Sequence, residues 1–175
     1  GRITFLFGKD SFDIREASFE GGQRGTTLSF GEGAYFLATA EHLLGALCLC
    51  DIRSVRIVPE AEEVPMGDGS AAFFTRDLFS RRVPLPEEIS PLFLGAPLSV
   101  GDPGEGPFIA AFPASRFGLT YAFSHAHPCI GEQWKSLLWS SEAREILEGA
   151  RTFGFLSEVE ALRERGLALG GSLEN

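Results

Sequence analysis

Thr39-Ala40-Glu41-His42-Leu43-Leu44-Gly45-Ala46-Leu47-Cys48-Leu49, followed after a short break by Ser54-Val55-Arg56-Ile57-Val58, changes periodicity partway along. Leu43, Leu44 and Leu47 recur at helical spacing, and Thr39 stands where a side chain can cap the first turn. Ser54 to Val58 alternates apolar with polar, so a strand follows the helix. Upstream, Arg2 to Phe7 alternates and is rich in β-formers, which predicts another strand. The glycine-dense stretch Glu20 to Glu32 reads as turns around a short strand, Thr26 to Phe30. Downstream, Val64-Pro65-Met66-Gly67-Asp68-Gly69-Ser70 is a tight turn into a helix over Ala71 to Phe79, with Ser70 or Asp68 as its cap.

The second half repeats this mixture. Six prolines fall between Pro84 and Pro107, and the domain boundary is placed at their start, giving domains of residues 1–84 and 85–175. Strands are expected at Leu98 to Val100, Phe108 to Phe112 and Leu119 to Ser124, with a hairpin-like turn over Asp102 to Gly106. Ser140 to Glu148 reads as a helix. Ser157 to Arg165 reads as another, with a Ser157/Glu160 capping box and Gly166 as the stop. Strands plus two helices in each half describe an α+β fold.

Composition removes several function classes. The 175 residues carry 24 acidic and 15 basic side chains, a formal charge of −9; phosphate binding needs clustered Lys/Arg, so nucleic acid is not an expected partner of so acidic a chain. No apolar run approaches the ~18 residues of a membrane span. Three cysteines, two of them only one residue apart at Cys48 and Cys50, do not make a secreted disulfide framework, and a reducing cytoplasm is the expected compartment. Gly1 in place of Met, and Asn175 just after a glycine pair, suggest a piece of a longer chain.

The sharpest local chemistry is Glu41-His42 at a helix start. A neutral imidazole is a good zinc ligand, and a neighbouring carboxylate can take a proton from an activated water. The bland alternative is a favourable first-turn acid followed by a half-buried helix histidine. His125 and His127 would share one face of a strand ending at Pro128, or simply form its polar edge. Cys-x-Cys is not zinc-finger spacing, and Cys48, Cys50 and Cys129 fit better as small core residues. In Ala150-Arg151-Thr152-Phe153-Gly154-Phe155, the Thr152 hydroxyl could donate to a developing oxyanion, or the aromatics could be plain core. Gly170-Gly171-Ser172 reads as a close-approach loop or an ordinary turn.

Taken in order, these blocks resemble one family. Gly25 to Leu28, Thr39 to Leu47, Val64 to Ala71, His127 to Gly131, Ala150 to Phe155 and Gly166 to Asn175 together look like UDP-3-O-acyl-N-acetylglucosamine deacetylase, a zinc enzyme of lipid A biosynthesis. The resemblance implies a two-domain α/β sandwich, each domain a small sheet with two helices, the helices packed between the sheets. It implies zinc as cofactor, UDP-3-O-acyl-N-acetylglucosamine as substrate, and hydrolysis of the N-acetyl group with release of acetate. It carries the catalytic base onto Glu41, a metal ligand onto His42 and an oxyanion-stabilising hydroxyl onto Thr152. Substrate contacts along an acyl passage fall on Phe153, Val159, Ala168, Gly171 and Leu173.

The chain departs from the family pattern at Ala40, where a valine is usual, and at Gly67, where an apolar residue is usual. The resemblance also places the family's remaining zinc ligands, a lysine and a second catalytic histidine beyond Asn175. The segment alone is therefore expected to be inactive, and a monomer is the expected state. The other reading kept open is a non-catalytic relative that binds a UDP-sugar or a protein partner.

Overall fold

The computed structural model describes residues 1–22, 25–85 and 92–155. They divide into two compact units: residues 1–83 with the segment from Glu145, and Pro84–Arg144. Both helices and sheets are present, and the chain is of mixed α+β class.

The first unit opens with β1 (Ile3–Phe7), which pairs antiparallel with β2 (Asp10–Asp13) through Phe5 opposite Phe12. A single-turn 3-10 helix (Ile14–Glu16) follows, closed by a capping box in which Asp13 accepts from Arg15 N–H and Glu16 accepts from Asp13 N–H. β3 (Ser18–Gly22), β4 (Gly25–Phe30) and β5 (Tyr35–Leu37) form an antiparallel meander, with Leu28 opposite Leu37. Helix α1 (Glu41–Leu49) leads to β6 (Val55–Ile57), which joins β1 in parallel to give the order β2-β1-β6. Helix α2 (Ala72–Arg81) packs on α1.

Apolar side chains from both sheets meet in one core of Phe5, Leu28, Phe30, Leu37, Ala40 and Val64, with Leu43 and Leu44 of α1 against it. Aromatic rings dominate: Phe5 and Phe30 lie 5.0 Å apart between centroids, and Phe7 stacks on Tyr35 at 4.9 Å. A second cluster joins Ala46 and Leu49 of α1 to Ala71, Phe74 and Leu78, and receives Leu147. This contact, with the bond between Thr75 Oγ1 and the Glu148 carboxylate, is why the described segment from Glu145 groups with the first unit. A second domain spanning 85–175 also takes in residues 156–175, which lie outside the described residues, as does the helix expected over Ser157 to Arg165.

The second unit contains two hairpins, β7 (Leu98–Val100) with β8 (Ile109–Ala111), and β9 (Gly118–His125) with β10 (Gly131–Leu138). Helix α3 (Ser141–Glu148) starts here, its first turn held by Ser140 Oγ accepting from Ala143 N–H at 3.1 Å.

Local expectations change at the start of α1 and at the end of β9. Thr39 does not cap α1. Its backbone is left-handed (φ 57°) and its hydroxyl donates to Glu63 Oε1 at 3.0 Å, while Ala40 occupies the cap position without a side-chain bond. The reason is that Ala40 N–H donates to Thr26 O at 3.0 Å, which ties the helix start to β4 and turns Thr39 away. Nor do His125 and His127 share a strand face. His125 ends β9 opposite Gly131, and His127 lies in the turn, where its N–H donates to His125 Nδ1 and Cys129 N–H donates to His127 Nδ1.

Candidate active site

The first turn of α1 is fastened to β4 at two points. Ala40 N–H donates to Thr26 O, and Thr26 N–H donates to Glu41 Oε2 at 2.9 Å. A carboxylate that accepts a main-chain N–H has its direction set by the sheet rather than by its own rotamers. Glu41 and His42 are both half-buried at this helix start.

From the other end of the sequence, Thr152 arrives at the same place. Its Oγ1 lies 3.0 Å from His42 Nε2, a hydrogen bond between residues 110 positions apart. The main chain holds Thr152 there: its N–H donates to Gly69 O at 2.9 Å, and Arg151 forms an antiparallel bridge with Ser70. Phe153, beside it, is exposed and meets Phe155 edge-on at 5.9 Å. Val159, Ala168, Gly171 and Leu173 lie outside the described residues.

The turn that receives Thr152 is built from Gly67 to Ser70. Asp68 Oδ1 accepts from Ser70 N–H at 3.1 Å and from Ser70 Oγ–H at 2.7 Å, and Ser70 Oγ in turn accepts from Ala72 N–H at 3.1 Å. Ser70 thus orders the residues just ahead of α2, whose own cap residue is Ala71. Arg151 Nη2 lies 3.7 Å from Asp68 Oδ2. The Ser70 hydroxyl and main chain, with the Arg151 guanidinium, hold the Asp68 carboxyl below the usual carboxylate range. Gly67 has a left-handed backbone (φ 61°), and a Cβ there would stand 2.4 Å from Phe73 Cγ. The Phe73 ring therefore fills the space that an apolar side chain at position 67 would take. Asp68 and Ser70 were legible in the sequence only as turn and cap residues; their link to Thr152 runs through Arg151, 83 positions from Asp68.

The donor set can be weighed against zinc. Catalytic zinc takes about three protein ligands and a water. His42 offers one imidazole nitrogen. Among the described residues no group of three or more His, Cys, Asp and Glu side chains could hold a metal ion. The described residues thus supply one donor at this point and do not by themselves complete a site. Cys50 is buried, whereas Cys48 and Cys129 are exposed, and all three are free thiols. No described helix is long and apolar enough to cross a membrane.

Comparison with known proteins identifies the family. The family model described as LpxC, UDP-3-O-acyl N-acetylglycosamine deacetylase, matches residues 6–175. Proteins named UDP-3-O-acyl-N-acetylglucosamine deacetylase are similar to this chain over most of its length. The one from Syntrophotalea carbinolica is 39% identical over 147 residues, 83% of this chain and 47% of that protein. Those from a Geobacter species and Nitratidesulfovibrio vulgaris are 36% and 38% identical, over 84% and 86% of this chain and 48% and 49% of theirs. The chain spans about half the length of the curated relatives it matches. With the family model covering nearly every residue, the chain belongs to the LpxC family of UDP-3-O-acyl N-acetylglycosamine deacetylases.

Proposed function

We propose that this chain carries one side of the active site of a zinc-dependent amide hydrolase that removes the N-acetyl group of UDP-3-O-acyl-N-acetylglucosamine in lipid A biosynthesis. The observation that carries this reading is the meeting of Glu41-His42 with Thr152 across 110 positions of sequence. His42 is the metal ligand among these residues, and the remaining donors are assigned to the part of the protein outside this chain. When bound, zinc supplies Lewis acidity and an acidified water.

The chain's own residues do the rest. Glu41, aimed by Thr26 N–H, accepts a proton from the water whose oxygen attacks the acetamide carbonyl. The Thr152 hydroxyl, hydrogen-bonded to His42 Nε2 here, would turn to the developing oxyanion when His42 serves as a metal ligand. The C–N bond then breaks. Acetate leaves, and the sugar amine takes a proton from a group outside this chain. Phe153, Val159, Ala168, Gly171 and Leu173 are proposed as neighbours of the acyl passage. The enzyme is proposed to act in the cytoplasm.

Acetate release tests the reading directly. The full-length protein carrying this chain should liberate one acetate per UDP-3-O-acyl-N-acetylglucosamine consumed, while residues 1–175 alone should liberate none. Tight binding of the UDP-sugar by the full-length protein without acetate release would replace the enzyme reading with that of a non-catalytic relative.

A further inference from the structure

A hydroxyl that must meet a charge developing on substrate needs its backbone held to within a fraction of an ångström. Thr152 sits in irregular chain, not in a helix or a strand of a sheet, so its position depends on a few contacts. Two are main-chain: Thr152 N–H to Gly69 O, and the Ser70–Arg151 bridge. Both partners belong to a turn whose shape is set by one side chain. Asp68 ties down Ser70 through two hydrogen bonds to the same oxygen and faces Arg151 with the other. Ser70 is buried, whereas the Thr152 side chain is exposed, so the order passes outward from the turn to the hydroxyl.

We propose that Asp68 is a positioning residue for the Thr152 hydroxyl, acting through Ser70 and Arg151; this rests on the role given to Thr152 above. The depressed carboxyl of Asp68 accords with it, since the ionised form makes the stronger acceptor for Ser70 and partner for Arg151.

A double-mutant cycle in the full-length protein carrying this chain provides the test, beside amide exchange in residues 1–175. Asp68→Ala should lower kcat about tenfold with KM within about twofold, because a displaced hydroxyl weakens transition-state contacts alone. Asp68→Ala combined with Thr152→Ala should be no slower than Thr152→Ala within about twofold, since both changes remove the same contribution. Asp68→Asn, which keeps an oxygen for Ser70, should recover most of the loss. In residues 1–175, Asp68→Ala should speed exchange of the Thr152 amide about tenfold and leave the Phe5 amide of β1 unchanged.

Losses that multiply in the cycle, or a Thr152 amide that exchanges at the original rate, would overturn the proposal. If Asp68→Ala does not fold, Arg151→Gln takes its place, removing only the outer partner; the same pattern at smaller size is expected, and multiplying losses again overturn it. If Thr152→Ala leaves kcat unchanged, the role of Thr152 itself falls. The exchange rate still decides whether Asp68 holds that residue.

Discussion

Thr152 Oγ1 and His42 Nε2 share a hydrogen bond of 3.0 Å, although 110 residues separate them in the chain. One comes from the first turn of a helix docked on β4, the other from an extended segment docked on the turn before α2. Neither element would bring the two together alone. Their meeting is what supports reading the Glu41-His42 pair as part of a site.

Glu41 accepts from Thr26 N–H and, in the proposed mechanism, also takes a proton, and the two duties are separable. Glu41→Gln keeps a carbonyl oxygen for Thr26 and loses basicity. In the full-length protein it should lower kcat by about 10²–10⁴-fold, the usual worth of a positioned base, with KM and melting temperature little changed. Steady-state kinetics with a thermal melt separates the two. Near-normal kcat would remove Glu41 from the chemistry.

Gly67→Ala places a methyl 2.4 Å from Phe73 Cγ and forces a left-handed backbone on a residue with a Cβ. Together these should destabilise residues 1–175 by about 1–3 kcal/mol. Adding Phe73→Ala should recover the steric part and leave the backbone part. Urea unfolding of the three variants would show it, and additive losses would mean that the ring moves aside freely.

How much of this is legible in residue order depends on how local its cause is. The helices α1 and α2 and the strands β1, β4 and β6 follow apolar periodicity, and the expected spans fall on the observed elements to within a few residues. Strand β10 escapes because Glu132, Gln133 and Lys135 break its alternation; its order comes from pairing with β9. β2, β3 and β5 are only three to five residues long, and neighbours define them. The failed Thr39 cap has the same origin, since a main-chain bond from Ala40 to Thr26 outweighs a local side-chain preference. At the site, Glu41 and His42 are adjacent and readable. Thr152 was reachable through family resemblance, but no periodicity encodes a contact across 110 positions, nor the Asp68 brace behind it.

Asp13 makes the acid limb of stability predictable. It is 4% exposed and accepts from Arg15 at 2.8 Å and from Arg2 at 3.1 Å. The Arg15 contacts, with Arg2, hold its folded-state pKa far below the unfolded value of about 3.9. Its contribution is therefore complete above the unfolded pKa and is lost as pH falls from there through the folded one. Melting temperature measured from pH 6 down to pH 2 should fall more steeply in the native chain than in Asp13→Asn, and parallel curves would exclude Asp13 as the cause.

The aromatic core should dominate folding of the first unit. Phe5 is fully buried against Phe30, so Phe5→Ala should cost about 3–5 kcal/mol in chemical denaturation. A loss under about 1 kcal/mol would mean that the two sheets do not share this core.

Metal analysis of the purified full-length protein bears most directly on the site. His42→Ala should lose most of its bound zinc, whereas Glu41→Gln and Thr152→Val should keep near-stoichiometric metal and still turn over slowly. Full zinc and full turnover in His42→Ala would contradict the assignment of this helix start as one wall of the metal site.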